Sequence, residues 1–253
     1  MMRNVVVPLA ADDEGLAHAE LAIAAQLTRT LGGRLTLIHK LAREDLAGER
    51  AMTAAAAELT ISRVERQLVE QAGIQWRVEG ADDVLETACR VARAERGIVV
   101  MPSRPEIDIA IALVDHGLPV LAVSAAAQPL DPLGEALVLW DGSATAVHAL
   151  ACALPLLREA KRVTLLEIDD GSLGRSASDA LPLLADHGIR AHVLRDLAFG
   201  EKAGFALLDR IKTLAPAYVV MGGFGHARWL EGLIGGVTRR LLSDCPVPIL
   251  LKH

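Results

Sequence analysis

The stretch YVVMGGFG at residues 218–225 decides the fold, because a strand-like apolar run passes there directly into glycines. With a third glycine it forms a G-x2-G-x9-G spacing, at Gly222, Gly225 and Gly235, and a helix-like segment follows at 238–242. Glycines let a backbone turn sharply and approach a ligand closely, and the N–H groups at a helix start attract phosphate. The sequence therefore predicts a site for a phosphate-bearing ligand, with a nucleotide as the first candidate.

The composition of the chain fits a two-domain protein without nucleic-acid or membrane signals. Its 253 residues, 52% of them hydrophobic, suffice for two domains of roughly 100–150 residues each. The net charge is −6 and no basic run occurs, so we expect no nucleic-acid partner. No apolar stretch reaches the about 20 residues of a membrane span, so we expect no membrane-spanning helix. The start of the chain resembles a strand rather than a secretory signal. Cys89, Cys152 and Cys245 form no C-x-x-C pair, which predicts reduced thiols and a cytoplasmic protein.

Two sequence repeats are visible, each alternating short apolar runs with longer helical patterns, which is typical of βαβ units and a parallel sheet. We predict a first domain over residues 1–127, a second over 133–253, and a proline-containing linker between them. The predicted strands are Asn4–Leu9, Arg34–His39, Ile74–Val78, Gly97–Met101, Pro119–Ser124, Glu135–Trp140, Arg162–Ile168, Ile189–Leu194, Ala217–Met221 and Val247–Leu251. The predicted helices are Glu14–Leu31, Asp45–Ala72, Asp82–Ala94, Ile107–His116, Ala144–Glu159, Leu173–His187, Gly200–Thr213 and Val237–Ser243.

The two repeats differ where the second carries its glycines. The segment GIVVM at 97–101 parallels AYVVM at 217–221, but Pro102 and Pro105 then stand where the second repeat has Gly222 and Gly225. Proline has no backbone N–H to offer a phosphate. The first domain is therefore predicted to lack the glycine loop.

At this point the sequence resembles the universal stress protein family in its tandem two-domain form. The segment LVLWDGS at 137–143 is similar to the first strand of that family and its Asp-Gly-Ser turn. The glycine spacing resembles the loop that holds ATP in the nucleotide-binding members. The first repeat resembles the family only in pattern, with Ala10 where an aspartate is expected. The resemblance implies an α/β fold of two tandem Rossmann-like domains, each a five-stranded parallel sheet of order 3-2-1-4-5 with helices on both faces.

The resemblance also implies a nucleotide site in the second domain, at the switch point between its first and fourth strands. It implies ATP or ADP, with or without Mg²⁺, and neither a catalytic residue nor a protein-held metal site. One departure is Gly236, where many ATP-binding members have Ser or Thr. The nucleotide-binding residues that it implies are Asp141, Ile168, Met221, Gly222, Gly225, Gly235, Gly236, Val237 and Thr238.

Structural interpretations stay open for several of these residues. The glycines can serve turns and close packing alone, and Asp141 can belong to the cap of the helix that begins near Ala144. His226 and Arg228 are further candidates for phosphate contact. No Lys follows the last glycine as in a Walker A loop, and no G-x-S-x-G elbow or H-x-x-x-H metal spacing occurs.

Three functions are compatible with the sequence. The first is a stress-response or signalling protein that binds an adenine nucleotide, with at most slow, incidental ATP hydrolysis. The second is an interaction protein that binds no nucleotide and acts through its surfaces. The third is an adenylating or nucleotidyl-transferring enzyme, which is disfavoured because no catalytic Lys, His or metal ligand is evident beside the loop.

The last strand of each domain is expected to pair with the other. The resemblance implies an intramolecular pseudo-dimer through Pro119–Ser124 and Val247–Leu251, with a homodimer of the whole chain as a further form. Such pairing has a physical motive, since an unpaired apolar edge strand invites association.

Overall fold

A computed structural model of the chain describes residues 3–9, 14–40, 66, 70, 72–169, 174–197, 203–223 and 236–253. Contacts divide the chain into two compact units, Met1–Met101 and Pro102–His253. These units are defined by packing, so the repeat boundaries at 1–127 and 133–253 stay a prediction. In the part of the chain that the model describes, no helix is both long and apolar enough to cross a membrane.

The first unit is built on four parallel strands in the order β3-β2-β1-β4. Every residue of β1 is buried and apolar, as expected of a parallel strand covered on both faces. Asp83 starts α2 by accepting a hydrogen bond from Glu86 N at 3.0 Å. The elements are β1 (Val5–Leu9), α1 (Glu14–Leu31), β2 (Arg34–Lys40), β3 (Gln75–Ala81), α2 (Val84–Ala94) and β4 (Ile98–Pro102).

The second unit holds six strands in the order β5-β10-β9-β6-β7-β8. The order β8-β7-β6-β9-β10 is the predicted 3-2-1-4-5 order, and these five strands are parallel. The elements are α3 (Glu106–Ala110) continuing as a π-helical turn (Ile111–Asp115), β5 (Val120–Val123), β6 (Glu135–Trp140), α4 (Ala144–Leu157), β7 (Arg162–Asp169), a 3₁₀ turn (Ala177–Ala180) leading into α5 (Leu181–Asp186), β8 (Ala191–Leu197), α6 (Ala203–Leu214), β9 (Tyr218–Gly222), α7 (Gly236–Asp244) and β10 (Ile249–Lys252).

The two strands predicted to pair at their edges do pair. β5 and β10 run antiparallel, with Leu121 opposite Leu250, and both side chains are completely buried. Ser124 Oγ fastens the end of β5 by donating to Cys245 O at 2.7 Å. All ten strands belong to one hydrogen-bonded sheet, not to two five-stranded sheets. The α/β class and the strand order are confirmed, and so is the pairing of the two last strands.

All ten predicted strands are present, and one predicted helix begins later than expected. The second part of the first repeat, predicted as the helix Asp45–Ala72, lies almost entirely outside the described residues. The predicted helix Leu173–His187 begins only with the 3₁₀ turn at Ala177. Ser176 caps that turn by accepting from Ser178 N at 3.2 Å, which fixes where helical structure starts.

Candidate functional site

The candidate site begins at the turn that follows β6. Asp141 is exposed, and its Oδ1 accepts a hydrogen bond from Ser143 N at 3.0 Å, which forms an Asx turn. Ser143 is the N-cap of α4, since its Oγ accepts from Ala146 N at 3.1 Å. Asp141 therefore does not cap the helix itself. It shapes the turn that leads into the helix, and its carboxylate is exposed to solvent.

The segment 174–177 packs against one side of the Asp141 turn. Its last residue, Ala177, is the first residue of the 3₁₀ turn. Gly142 has φ +72°, and a Cβ atom there would lie 2.2 Å from Arg175 N. Trp140 Nε1 donates to Arg175 O at 2.7 Å, and Gly174 N donates to Asp141 O at 3.4 Å. Glycine is thus required at 142 both for its backbone conformation and for the close approach of this segment.

The glycine run begins at the end of β9, which pairs directly with β6. Met221 is buried near the end of this strand. A Cβ atom on Gly222 would lie 2.6 Å from Thr145 Oγ1 and 2.7 Å from Ala146 N. The end of β9 thus touches the first turn of α4, close to the turn that carries Asp141.

The next residue, Gly223, contacts Lys252 and His253. Its N–H donates to Lys252 O at 3.1 Å, and its carbonyl oxygen lies 3.1 Å from His253 Nδ1. Gly225 and Gly235, together with His226 and Arg228, lie outside the described residues. The roles of Gly225 and Gly235 in ligand binding therefore stay a prediction.

The helix that follows the loop, α7, begins at Gly236. This glycine is exposed, and a Cβ atom on it would meet nothing within 4 Å. Val237 and Thr238 are half-buried in the first turn. The start of α7 is packed on α6, because a Cβ atom on Gly204 would lie 3.4 Å from Val237 Cα.

Of the two arginines in α7, one has clear partners. Arg240 forms an ion pair with Asp244, at 2.9 Å between Nη1 and Oδ2, and its guanidinium lies 4.0 Å from the centre of the Phe205 ring. Hydrogen bonds from Ser243 and Arg240 lower the pKa of Asp244. The guanidinium of Arg240 thus contacts Asp244 and Phe205 within the protein. Arg239, in contrast, is exposed to solvent.

Ile168 lies near the end of β7, opposite Asp196 of β8. Its neighbour Glu167 is a residue that the sequence analysis missed. Glu167 is 4% exposed and accepts from Ser176 Oγ at 2.8 Å, Ala177 N at 2.6 Å and Arg195 Nε at 2.7 Å. The signal in the sequence was a carboxylate that directly follows the apolar pair Leu165-Leu166 inside β7.

The electrostatic state of Glu167 follows from its partners. Burial raises the pKa of its carboxyl, but the hydrogen bonds from Ala177 N, Ser176 Oγ and Arg195 outweigh burial and lower the pKa overall. Glu167 is therefore a charged, fully bonded carboxylate at neutral pH. Among the described residues, no group of three or more His, Cys, Asp or Glu side chains is placed to hold a metal ion.

The described part of the site thus brings together two elements far apart in sequence. Adjacent parallel strands β6 and β9 end in the Asp141 turn and in Gly222, and the first turn of α4 touches both. Carboxyl ends of parallel strands at a change of strand order are where open α/β sheets bind ligands. The arrangement supplies an exposed carboxylate and a closely approaching backbone.

Comparison with known proteins supports the fold. No family model matches the sequence, and no curated protein sequence matches it significantly. The structure is similar to that of a universal stress protein from Archaeoglobus fulgidus DSM 4304, with a TM-score of 0.69 and 17% identity, over 100% of this chain and 97% of that chain.

Two structures from Pseudomonas aeruginosa are similar as well. A functionally unknown protein from strain PAO1 has a TM-score of 0.55 and 18% identity, over 99% of this chain and 92% of its own. A protein from strain UCBPP-PA14, provisionally described as a universal stress protein, has a TM-score of 0.56 and 17% identity, over 99% of this chain and 93% of its own. The chain therefore has the fold of the universal stress proteins.

Proposed function

We propose that this protein is a stress-response or signalling module that binds an adenine nucleotide, ATP or ADP, at the carboxyl ends of β6 and β9. The observation that carries the proposal is the meeting of the Asp141 turn, the first turn of α4 and Gly222 at the point where strand order changes. In this proposal the nucleoside lies beside Asp141, Ile168 and Met221. The phosphates lie on backbone N–H groups of the glycine loop and at Gly236, Val237 and Thr238.

The output of such a site is a change of conformation or partner rather than chemistry on the ligand. In this proposal Asp141 accepts hydrogen bonds from the nucleoside and does not activate water at a terminal phosphate. We therefore expect ADP to form from bound ATP slowly, if a divalent cation is present.

The experiment that tests the proposal starts with the purified protein. Denaturation followed by chromatography and mass determination identifies any nucleotide that copurifies, and calorimetric titration with ATP, ADP and GTP measures affinity and base preference. Near-stoichiometric adenine nucleotide, or saturable ATP binding by nucleotide-free protein, supports the proposal. Protein that carries no nucleotide and gives no heat with either adenine nucleotide contradicts it.

A matched pair of variants assigns the binding to this site. Asp141→Ala removes the exposed carboxylate and its Asx turn to Ser143. Asp131→Ala removes an equivalent turn elsewhere, in which Asp131 Oδ1 accepts from Leu133 N at 3.1 Å. The proposal requires about tenfold weaker ATP binding in Asp141→Ala, the loss expected for a hydrogen bond to a charged group. Asp131→Ala should bind as the wild type does.

A second function, an interaction protein without a nucleotide, is favoured by one observation. Gly222 has a sufficient packing reason for being glycine, because any side chain there would enter the first turn of α4. If both Asp variants and the wild type fail to bind nucleotide, this second function takes the place of the first.

A further inference from the structure

Glu167 joins three separate pieces of the second unit through a single buried carboxylate. It projects from β7, its Oε2 accepts from Ser176 Oγ and from Ala177 N, and its Oε1 accepts from Arg195 Nε of β8. Arg195 also donates to Ser178 Oγ at 3.0 Å. The carboxylate therefore fixes the position of residues 176–178 relative to β7 and β8.

The segment that Glu167 holds is the one that lies on the Asp141 turn. Residues 174 and 175 contact that turn through the hydrogen bonds from Gly174 N to Asp141 O and from Trp140 Nε1 to Arg175 O. The contact leaves no room for a side chain at Gly142. Movement of this segment would therefore displace the turn that presents the Asp141 carboxylate.

We infer that Glu167 is a positioning residue of the candidate nucleotide site, holding 174–177 against the Asp141 turn so that Asp141 is presented to the nucleoside. The role rests on the function proposed above, but its structural part, the coupling of two segments through one carboxylate, does not. Glu167 touches no ligand in this arrangement. It acts only through the segment and the turn.

A charged group suits this role better than an apolar one. The carboxylate satisfies a buried backbone N–H, a hydroxyl and a guanidinium at once, and hydrogen bonds to charged groups are stronger than neutral ones. In Glu167→Gln the side chain keeps its size, but its amide NH₂ faces donors instead of accepting from them. Ser176→Ala leaves the charge paired with Arg195, but it removes the bond from Ser176 Oγ to Glu167 and the capping bond from Ser178 N to Ser176 Oγ.

A control with the same chemistry exists in the first unit. Glu95 Oε1 accepts from Arg77 Nη2 at 2.7 Å, and the Glu95 side chain is 20% exposed. Glu95→Gln therefore weakens a largely buried carboxylate–arginine contact far in sequence from the candidate site. Any effect that both Gln variants share reflects general destabilisation.

The test measures backbone amide hydrogen exchange in the full-length protein at 141–146 and at 174–177, together with ATP titration. We expect both segments to exchange about tenfold faster in Glu167→Gln, the factor that corresponds to losing one charge-assisted hydrogen bond. We expect smaller changes in the same two segments for Ser176→Ala and none in Glu95→Gln. ATP affinity should fall in the same order.

The outcomes separate this inference from the proposed function. Faster exchange at 174–177 with unchanged exchange at 141–146 overturns the positioning role, whether or not ATP binds. Coupled exchange with ATP affinity equal to wild type also overturns it. Coupled exchange in a protein whose wild type binds no nucleotide supports the positioning of the turn and overturns the proposed function instead.

Discussion

Gly222 at the end of β9 lies directly against Thr145 in the first turn of α4, since a Cβ atom on Gly222 would be 2.6 Å from Thr145 Oγ1. Two of the three atoms nearest to that Cβ position, Ala146 N at 2.7 Å and Thr145 C at 2.8 Å, belong to the backbone and cannot rotate away. The contact joins the start of the glycine run to the turn that carries Asp141. Packing therefore restricts this position to glycine before any ligand is considered.

Gly222→Ala should consequently destabilise the protein by about 1–3 kcal/mol, the usual cost of forcing a methyl group into a packed site. Gly236→Ala is the matched control, because its Cβ would meet nothing within 4 Å. It should change the free energy of unfolding by no more than about 0.5 kcal/mol. Urea denaturation of both variants checks this, and equal stability of the two would contradict the packing seen at Gly222.

Gly236→Ser should strengthen nucleotide binding. The sequence resemblance places a hydroxyl-bearing residue at this position in many ATP-binding proteins, and the exposed start of α7 can accept the side chain without a clash. One added hydrogen bond of about 1 kcal/mol corresponds to roughly fivefold tighter ATP binding. Calorimetric titration of Gly236→Ser beside Gly236→Ala measures the effect of the hydroxyl alone. An unchanged affinity in both would place the phosphates away from Gly236.

The contribution of Glu167 to stability should depend on pH in one direction. Its pKa in the folded protein is lowered from the ordinary glutamate value, which is about 4.3 in unfolded chains. The stabilisation is therefore fully present above about pH 4.3 and is lost as pH falls through the lower, folded pKa.

Urea midpoints of wild type and Glu167→Gln between pH 3 and pH 7 test this directly. The difference between them should be constant from about pH 7 to pH 5 and should shrink as the pH approaches 3. A difference that grows on acidification would mean that the carboxyl is protonated in the folded state, contrary to its bonding with Arg195.

The thiols of Cys152 and Cys245 should be unreactive in the folded protein. Burial raises the pKa of both to about 11, so at pH 8 only about one molecule in a thousand carries the thiolate at either position. Labelling with a chromogenic disulfide at pH 8 should be slow in buffer and fast in denaturant. Rapid modification of native protein, assigned to either residue by peptide mass, would contradict the raised pKa values of these thiols.

Much of the fold was predictable from the order of apolar runs. Strands such as β6 and β9 are continuous apolar segments bounded by turn residues, and local pattern suffices to place these within one or two residues. The sequence also placed Asp141 and Gly222 at strand ends. The pairing of β5 with β10 was predicted as well, from the resemblance to tandem universal stress proteins.

The sequence was least informative about residues that act through packing. Nothing in the local pattern of LLEID at 165–169 shows that Glu167 contacts Ser176 and Ala177. Those residues lie 9 and 10 positions further along the chain, beyond the end of β7. Likewise, the glycine at 142 reads as a turn residue, and only the approach of Arg175 reveals its second constraint. Side-chain partners depend on distances between elements, which periodicity does not encode.

The sequence by itself thus determined the element types, their order and the two strand ends at which we propose that a ligand binds. It did so because hydrophobic period and turn chemistry are local properties of the chain. The tertiary structure alone decided that Gly222 is restricted by the first turn of α4 and that Glu167 ties the segment at 174–177 to the Asp141 turn. Those relationships arise from close packing between segments distant in sequence, which only the folded chain specifies.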